Sequence, residues 1–188
     1  MSTKRKVKFG FKNCYYATFT ESDGEYTYGT PKKLDGAVSM SLSPSGDNTE
    51  FYADDSLYFN DENNNGYEGT LELALIPDDF AIDCLGDTKD TNGVIEENAS
   101  NSTTPFALMC EFTNDDGATK FAFFNCNATR PDIAGTTKGE TKEVQSETLN
   151  ITIRPRVDGK VKVKTSDTTS STVLEDWYES VYTGTGSN

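Results

Sequence analysis

One stretch of the 188-residue sequence has the spacing of a cation site. Asp61-Glu-Asn63-Asn-Asn65-Gly66-Tyr-Glu-Gly-Thr-Leu-Glu72 fits the written pattern of an EF-hand calcium loop, with oxygen ligands at alternate positions and an acid at the twelfth. Asp61, Asn63, Asn65 and Glu72 are the calcium candidates it offers. The mechanism asks for more than the pattern: helices should flank the loop, and its eighth place is normally apolar. Here strand-like segments flank it, Glu68 holds the eighth place, and Glu72 is already fixed by the period of a strand. The Asn-Asn-Asn-Gly run is explained more simply as a turn that accepts left-handed backbone.

Catalytic constellations are harder to find. The chain has no histidine, so neither a Ser-His-Asp nor a Cys-His arrangement can be assembled. Carboxylate pairs recur at Asp54/Asp55, Asp78/Asp79 and Asp115/Asp116, but adjacent acids are expected by chance among 31, and neighbours on a strand point to opposite faces. No glycine-rich phosphate loop is present. Cys14, Cys84, Cys110 and Cys126 stand far apart without a C-x-x-C spacing, which suits buried free thiols in a reducing cytoplasm better than zinc. The reading is of a non-enzyme that needs no cofactor.

Charge separates the classes further. The net charge is −14. Residues 1–12 carry Lys4, Arg5, Lys6, Lys8 and Lys12 and no acid, whereas residues 13–116 carry 22 acids against Lys32, Lys33 and Lys89, or 3 − 22 = −19. Such a surface repels phosphates, which argues against nucleic acid as a bound ligand. Behind the basic start there is no apolar run, so no signal peptide is expected, and no stretch is long enough for a membrane span.

The elements that would position these residues are mostly strands. Val7–Thr20, Tyr26–Leu34 and Val38–Leu42 are rich in β-branched, aromatic or alternating residues. Glu50–Ala53 and Ser56–Asn60 flank the pair Asp54/Asp55. Tyr67–Ile76 alternates most clearly, with Tyr67, Gly69, Leu71, Leu73 and Leu75 on one face and Glu68, Thr70, Glu72 and Ala74 on the other. Pro77–Leu85, closed by Gly86, is the best helix, because proline suits its first position and Asp78 and Asp79 complement its N-terminus. Phe106–Thr113 and Thr119–Ala128 form a hairpin over Asn114–Gly117, and Val144–Arg154 and Lys160–Thr165 a second over Asp158-Gly159. The fold class is mainly β: one domain over 1–188, an antiparallel sandwich or barrel with one short flanking α-helix. Residues 1–12 and 170–188 read as arms and Pro44–Gly66 as a long loop.

Several of these segments resemble the major tail protein (tail tube) family of siphophages of Gram-positive bacteria. They are Val7-Lys-Phe-Gly-Phe-Lys-Asn-Cys-Tyr-Tyr-Ala17, Tyr28-Gly-Thr-Pro31, Gly36-Ala-Val-Ser-Met-Ser-Leu42, Phe51-Tyr-Ala-Asp54, Asn65-Gly-Tyr-Glu-Gly-Thr-Leu-Glu-Leu-Ala-Leu-Ile-Pro-Asp78, Asn125-Cys-Asn-Ala-Thr-Arg-Pro131, Glu147-Thr-Leu and Trp177-Tyr-Glu-Ser-Val-Tyr182. They run in order over nearly the whole chain, and the Asn65–Asp78 and Asn125–Pro131 stretches are the most specific.

The resemblance implies a β sandwich whose copies form hexameric rings, stacked into a non-contractile tube through which the genome passes, with no catalytic residues. Its expected partners are further copies of itself and the tape measure, tail terminator and distal tail proteins; DNA is transiting cargo and no membrane is involved. The expected place is the virion tail, after synthesis in the host bacterial cytoplasm. Some relatives carry an extra immunoglobulin-like domain, which is not expected after Tyr182. Pro44–Gly66 is then the stacking loop, and Asp54, Asp55, Asp61, Glu62, Glu68 and Glu72 are candidates to line the lumen. The alternative is a calcium- or carbohydrate-binding β-sandwich module, drawing on the acidity, an exposed Trp177 and Asp61–Glu72.

Overall fold

Phe106–Asn114 is apolar at nearly every position of its first half, so as a strand it must be covered on both faces. The computed structural model, which describes residues 7–114, 117–137 and 144–184, places it near the middle of a nine-stranded antiparallel sheet. The elements in chain order are β1 (Lys8–Ser22), β2 (Glu25–Tyr28), β3 (Lys32–Leu34), β4 (Ala37–Ser45), β5 (Asn48–Ala53), β6 (Ser56–Glu62) and β7 (Gly66–Leu73). A helical segment, α1 (Asp78–Phe80), runs on as a π-helical turn over Ala81–Leu85. Then come β8 (Thr88–Lys89), β9 (Ile95–Glu96), β10 (Phe106–Asn114), β11 (Gly117–Ala128), β12 (Glu147–Ile153), β13 (Lys162–Lys164) and α2 (Ser171–Glu175), followed by a 3-10 turn over Asp176–Tyr178.

The main sheet runs β2-β1-β10-β11-β12-β7-β4, with β3 also on β1 and β13 also on β11. Alternation along β10 sends Phe106, Leu108 and Cys110 into one core with Leu71, Leu73, Leu149, Ile151 and Ile153, so the β12-β7-β4 end lies over the same core as β1 and β10. Ala107 and Met109 face the other way, into a smaller core with Ala122, Phe124, Trp177 and Val181. The mainly β reading with a short helix holds.

Several expectations change. The second hairpin does not form: β12 and β13 each pair with β11, at Ala128↔Ile151 to Cys126↔Ile153 and at Phe121↔Lys164 to Phe123↔Lys162, so one long strand seats two short ones end to end. Tyr26–Leu34 is two strands, and β7 stops at Leu73, leaving Leu75 exposed. Within Pro44–Gly66 the two strands expected on either side of Asp54/Asp55 pair with each other as the β5–β6 hairpin, which continues from the end of β4. Of the supposed N-terminal arm, Lys8–Lys12 belong to β1 and pair with β10, while Met1–Lys6 lie outside the described residues. The supposed C-terminal arm is docked as far as it is described, because Trp177 (2% exposed) and Val181 complete the smaller core.

The helix lies where the sequence places it, but only Asp78–Phe80 is α-helical and Ala81–Leu85 takes the wider π form. Pro77 supplies an extended N-cap and Gly86, at φ +88°, ends the π turn in left-handed backbone. Phe80, Cys84 and Leu85 fill the core, and Tyr16 and Lys32 both donate to Asp83 Oδ2, at 2.8 and 2.5 Å, so the segment is fastened to β1 and to the start of β3.

Candidate assembly surface

The β5–β6 hairpin is where side chains of an interaction surface collect. Its strands pair from Asn48↔Glu62 to Ala53↔Ser56, and Asp54 and Asp55 form the turn at φ +51° and +58°. Two consecutive left-handed residues are what a type I′ two-residue hairpin turn requires, and aspartate tolerates that backbone. Sequence inspection recognised the flanking strands without recognising the turn. Phe51, Tyr52, Leu57, Tyr58 and Phe59 are all exposed, with Tyr58 at 75% and Tyr52 at 62%. The Phe51 and Tyr58 rings meet edge to face at 6.5 Å. These two strands form a separate two-stranded sheet, and a hairpin of that kind is marginal in water by itself.

The hairpin is nonetheless rooted in the main sheet. Asn65 N donates to Ser45 O (2.8 Å) and Asn63 N to Asp47 O (3.0 Å), so the β4–β7 ladder passes directly into β5–β6. At this neck a Cβ on Gly46 would lie 1.9 Å from Asn63 O, which is sterically impossible without parting the two chains. The Asn-Asn-Asn-Gly run is therefore the return limb of a ribbon, with Asn64 Oδ1 accepting from Gly66 N at 3.0 Å.

Of the six lumen candidates the ribbon carries four, and the other two are on the strand that follows it. Asp54 and Asp55 are at the tip, Asp61 and Glu62 near the neck, opposite Thr49 and Asn48, and Glu68 and Glu72 on β7. Glu72 accepts from the hydroxyls of Ser146 and Ser39, and these bonds hold its carboxyl below the usual carboxylate range. Of the calcium candidates, Asn63 and Asn65 are thus committed through their backbones to the neck, and the Glu72 carboxylate to Ser39 of β4 and to Ser146, just before β12. Among the described residues no three acidic, cysteine or histidine side chains gather in a metal-binding arrangement. Asp115 and Asp116 lie outside the described residues.

Two buried polar groups were not singled out from the sequence. Glu111, 5% exposed on β10, accepts from Asn13 Nδ2 (2.8 Å) and from the Tyr178 hydroxyl (2.9 Å), with Lys12 Nζ 3.5 Å away. Asn13 reaches it because a bulge in β1 puts Asn13 at φ +52°. The Arg156 guanidinium stacks over Tyr26, 4.3 Å from the ring centroid, beside Phe124. Trp177, taken as an exposed sugar-stacking residue in the alternative reading, is buried with its ring stacked on Tyr182 at 5.8 Å, and so offers no open face.

No helix of the described residues is long and apolar enough to cross a membrane. No family model matches the chain, and no curated protein matches it. Among solved structures, it is similar to a chain of the cryo-electron microscopy structure of the anti-feeding prophage cap, the tube-terminating cap, with 13% identity, 88% of this chain and 99% of that chain covered, and a TM-score of 0.46. It is also similar to a chain of the six-fold symmetrised baseplate of the anti-feeding prophage, with 11% identity, 90% and 100% covered, and a TM-score of 0.45.

Proposed function

We propose that this chain is a structural subunit of a phage tail that polymerises, as stacked hexameric rings, into a non-contractile tail tube for genome delivery. The observation that carries the reading is the rooted hairpin. It holds five large apolar side chains in water, on a two-stranded sheet whose burial is incomplete within one copy. Exposed apolar surface of this kind marks a protein–protein contact. The edge strand β4, which among the described residues pairs only with β7, adds an open ladder that a neighbouring copy can extend. The ordered sequence resemblance gives the assembly its type.

On this reading the subunit performs no catalysis and works without a cofactor. Asp54, Asp55, Asp61 and Glu62 lie along the hairpin and Glu68 and Glu72 on β7, and an acidic strip of this kind on the inner wall would keep DNA mobile by repulsion. Its partners are its own copies and the tape measure, tail terminator and distal tail proteins of the virion. The deciding experiment is negative-stain microscopy with light scattering of the purified chain. Rings or tubes are expected; a monodisperse monomer at high concentration counts against the proposal. For the lumen, Asp54→Lys with Asp55→Lys should leave the fold intact and slow genome release, and unaltered infectivity in a complemented phage removes those two residues from the wall.

A further inference from the structure

At the helical end of the molecule an apolar groove of about 280 Å³ opens between the α1 segment and the chain leaving β11. Ile76, Ala81, Leu85, Ile95 and Pro131 contribute to its floor and walls, and Ile133 stands fully exposed at its side. Its rim is acidic. Glu97 is paired with Arg130 at 2.8 Å, and Glu147 accepts from Ile76 N at 2.7 Å. Asp78 and Asp87 have no ion-pair partner among the described residues.

We propose that this groove receives the basic segment Lys4-Arg5-Lys6 of a second copy. The inference rests on the assembly reading and specifies one contact within it. Three charges of one sign follow one another in that segment, with aliphatic stems that can lie on an apolar floor while their heads reach a carboxylate rim. Lys8 is not part of the set, because it is in β1 with its ammonium 3.4 Å from the Phe112 ring centroid.

Position makes the contact intermolecular. Val7 leads into β1 at the pair Lys8↔Asn114, beside the start of β11 at Asn114↔Gly117. The groove lies at the far end of the same strands, where Thr104 N donates to Cys84 O at 2.9 Å and β11 ends at Ala128. At about 3.3 Å per residue, the length of β11 separates the two places by roughly 35 Å. Lys4 stands three residues before Val7, a stretch of chain that reaches at most about 11 Å when fully extended. The segment cannot fill the groove of its own chain, but it can fill that of a copy stacked head to tail, a heterologous contact that propagates into an open array.

The test uses the full chain and its assembly, followed by light scattering and microscopy at low and high salt, with circular dichroism as the folding control. Lys4→Glu/Arg5→Glu/Lys6→Glu should raise the concentration needed for assembly at least about tenfold, and Asp87→Lys, alone or with Asp78→Lys, should do the same. Combining the two sets should restore most of it. If the triple variant assembles like the wild type, or if the combined variant is no better than its folded parents, the groove contact is overturned while the assembly reading stands. If the wild type does not assemble, both fall. Unchanged assembly with lost retention of duplex DNA would give the segment to nucleic acid instead.

Discussion

The Tyr178 hydroxyl donates to Glu111 Oε2 at 2.9 Å, joining the C-terminal segment to the middle of the sheet. The bond is placed by packing: Tyr178 stacks on Tyr15 at 4.5 Å, and the neighbouring Trp177 is seated in the smaller core. Burial, and then this hydrogen bond, push the Tyr178 hydroxyl well above its ordinary value, so it stays a donor at any ordinary pH. Tyr178→Phe leaves Glu111 with Asn13 and a half-exposed Lys12 and should cost about 1–2 kcal/mol. Glu111→Ala orphans Asn13 as well and should cost more. Urea unfolding is the measurement; a lowered midpoint at unchanged slope is expected, and an unmoved midpoint in Tyr178→Phe would show the bond to be idle.

A second prediction concerns Gly69, where a Cβ would lie 1.8 Å from Ser41 O. Gly69→Ala must push β4 away from β7 and should destabilise by about 3 kcal/mol or more, since neither backbone can yield locally. Gly159, at φ +79° but with nothing near a new Cβ, is the matched control. Its alanine variant should lose only the left-handed backbone cost, about 1–2 kcal/mol. Comparable melting points for the two variants would mean that the β4–β7 approach is slack.

Those two glycines also show what the sequence could and could not convey. The period of Tyr67–Leu73, the Asn114–Gly117 hairpin and the capped helical segment were legible because each depends on neighbours in the chain. The partner of a short strand depends on something else. β12 and β13 were read as a hairpin because a turn separates them, yet β11 is long enough to seat both. The spacing of Asn65-Gly-Tyr-Glu-Gly fits a strand entry, but only the fold shows Gly66 and Gly69 pressed by Ile153 O and Ser41 O from different neighbours. Trp177 looked exposed in a polar tail because its cover, Met109 and Phe124, lies far away in sequence.

Buried thiols and phenols give the stability a definite pH dependence. Burial pushes the Cys14 thiol from 9.0 up to about 12, and raises Cys84, Cys110 and Cys126 as well. A native state that holds protons the unfolded chain releases is fully favoured below the unfolded value. That advantage disappears as pH rises through the window from about 9 to about 12. The urea midpoint should therefore hold near neutrality and fall steadily above about pH 9, with Cys14→Ala showing a shallower fall. A thiol reagent at neutral pH should label the native chain only as fast as it opens. Immediate labelling of all four cysteines would contradict this burial.

The exposed aromatics of the hairpin separate stability from assembly. Phe51 and Tyr58 touch each other and project from opposite strands, and neither belongs to either core. Replacing both by serine should shift unfolding by no more than about 1 kcal/mol, the scale of surface changes. At an interface, however, aromatic anchors commonly contribute about 2 kcal/mol each when truncated, about thirtyfold in affinity. The double variant should therefore keep its circular dichroism and melting profile while losing rings or tubes in the microscope. A variant that melts as the wild type and still polymerises would move the contact off this hairpin, leaving the open edge of β4 as the surface to test next. Loss of folding together with assembly would instead show that the ribbon is held to the main sheet by more than its neck.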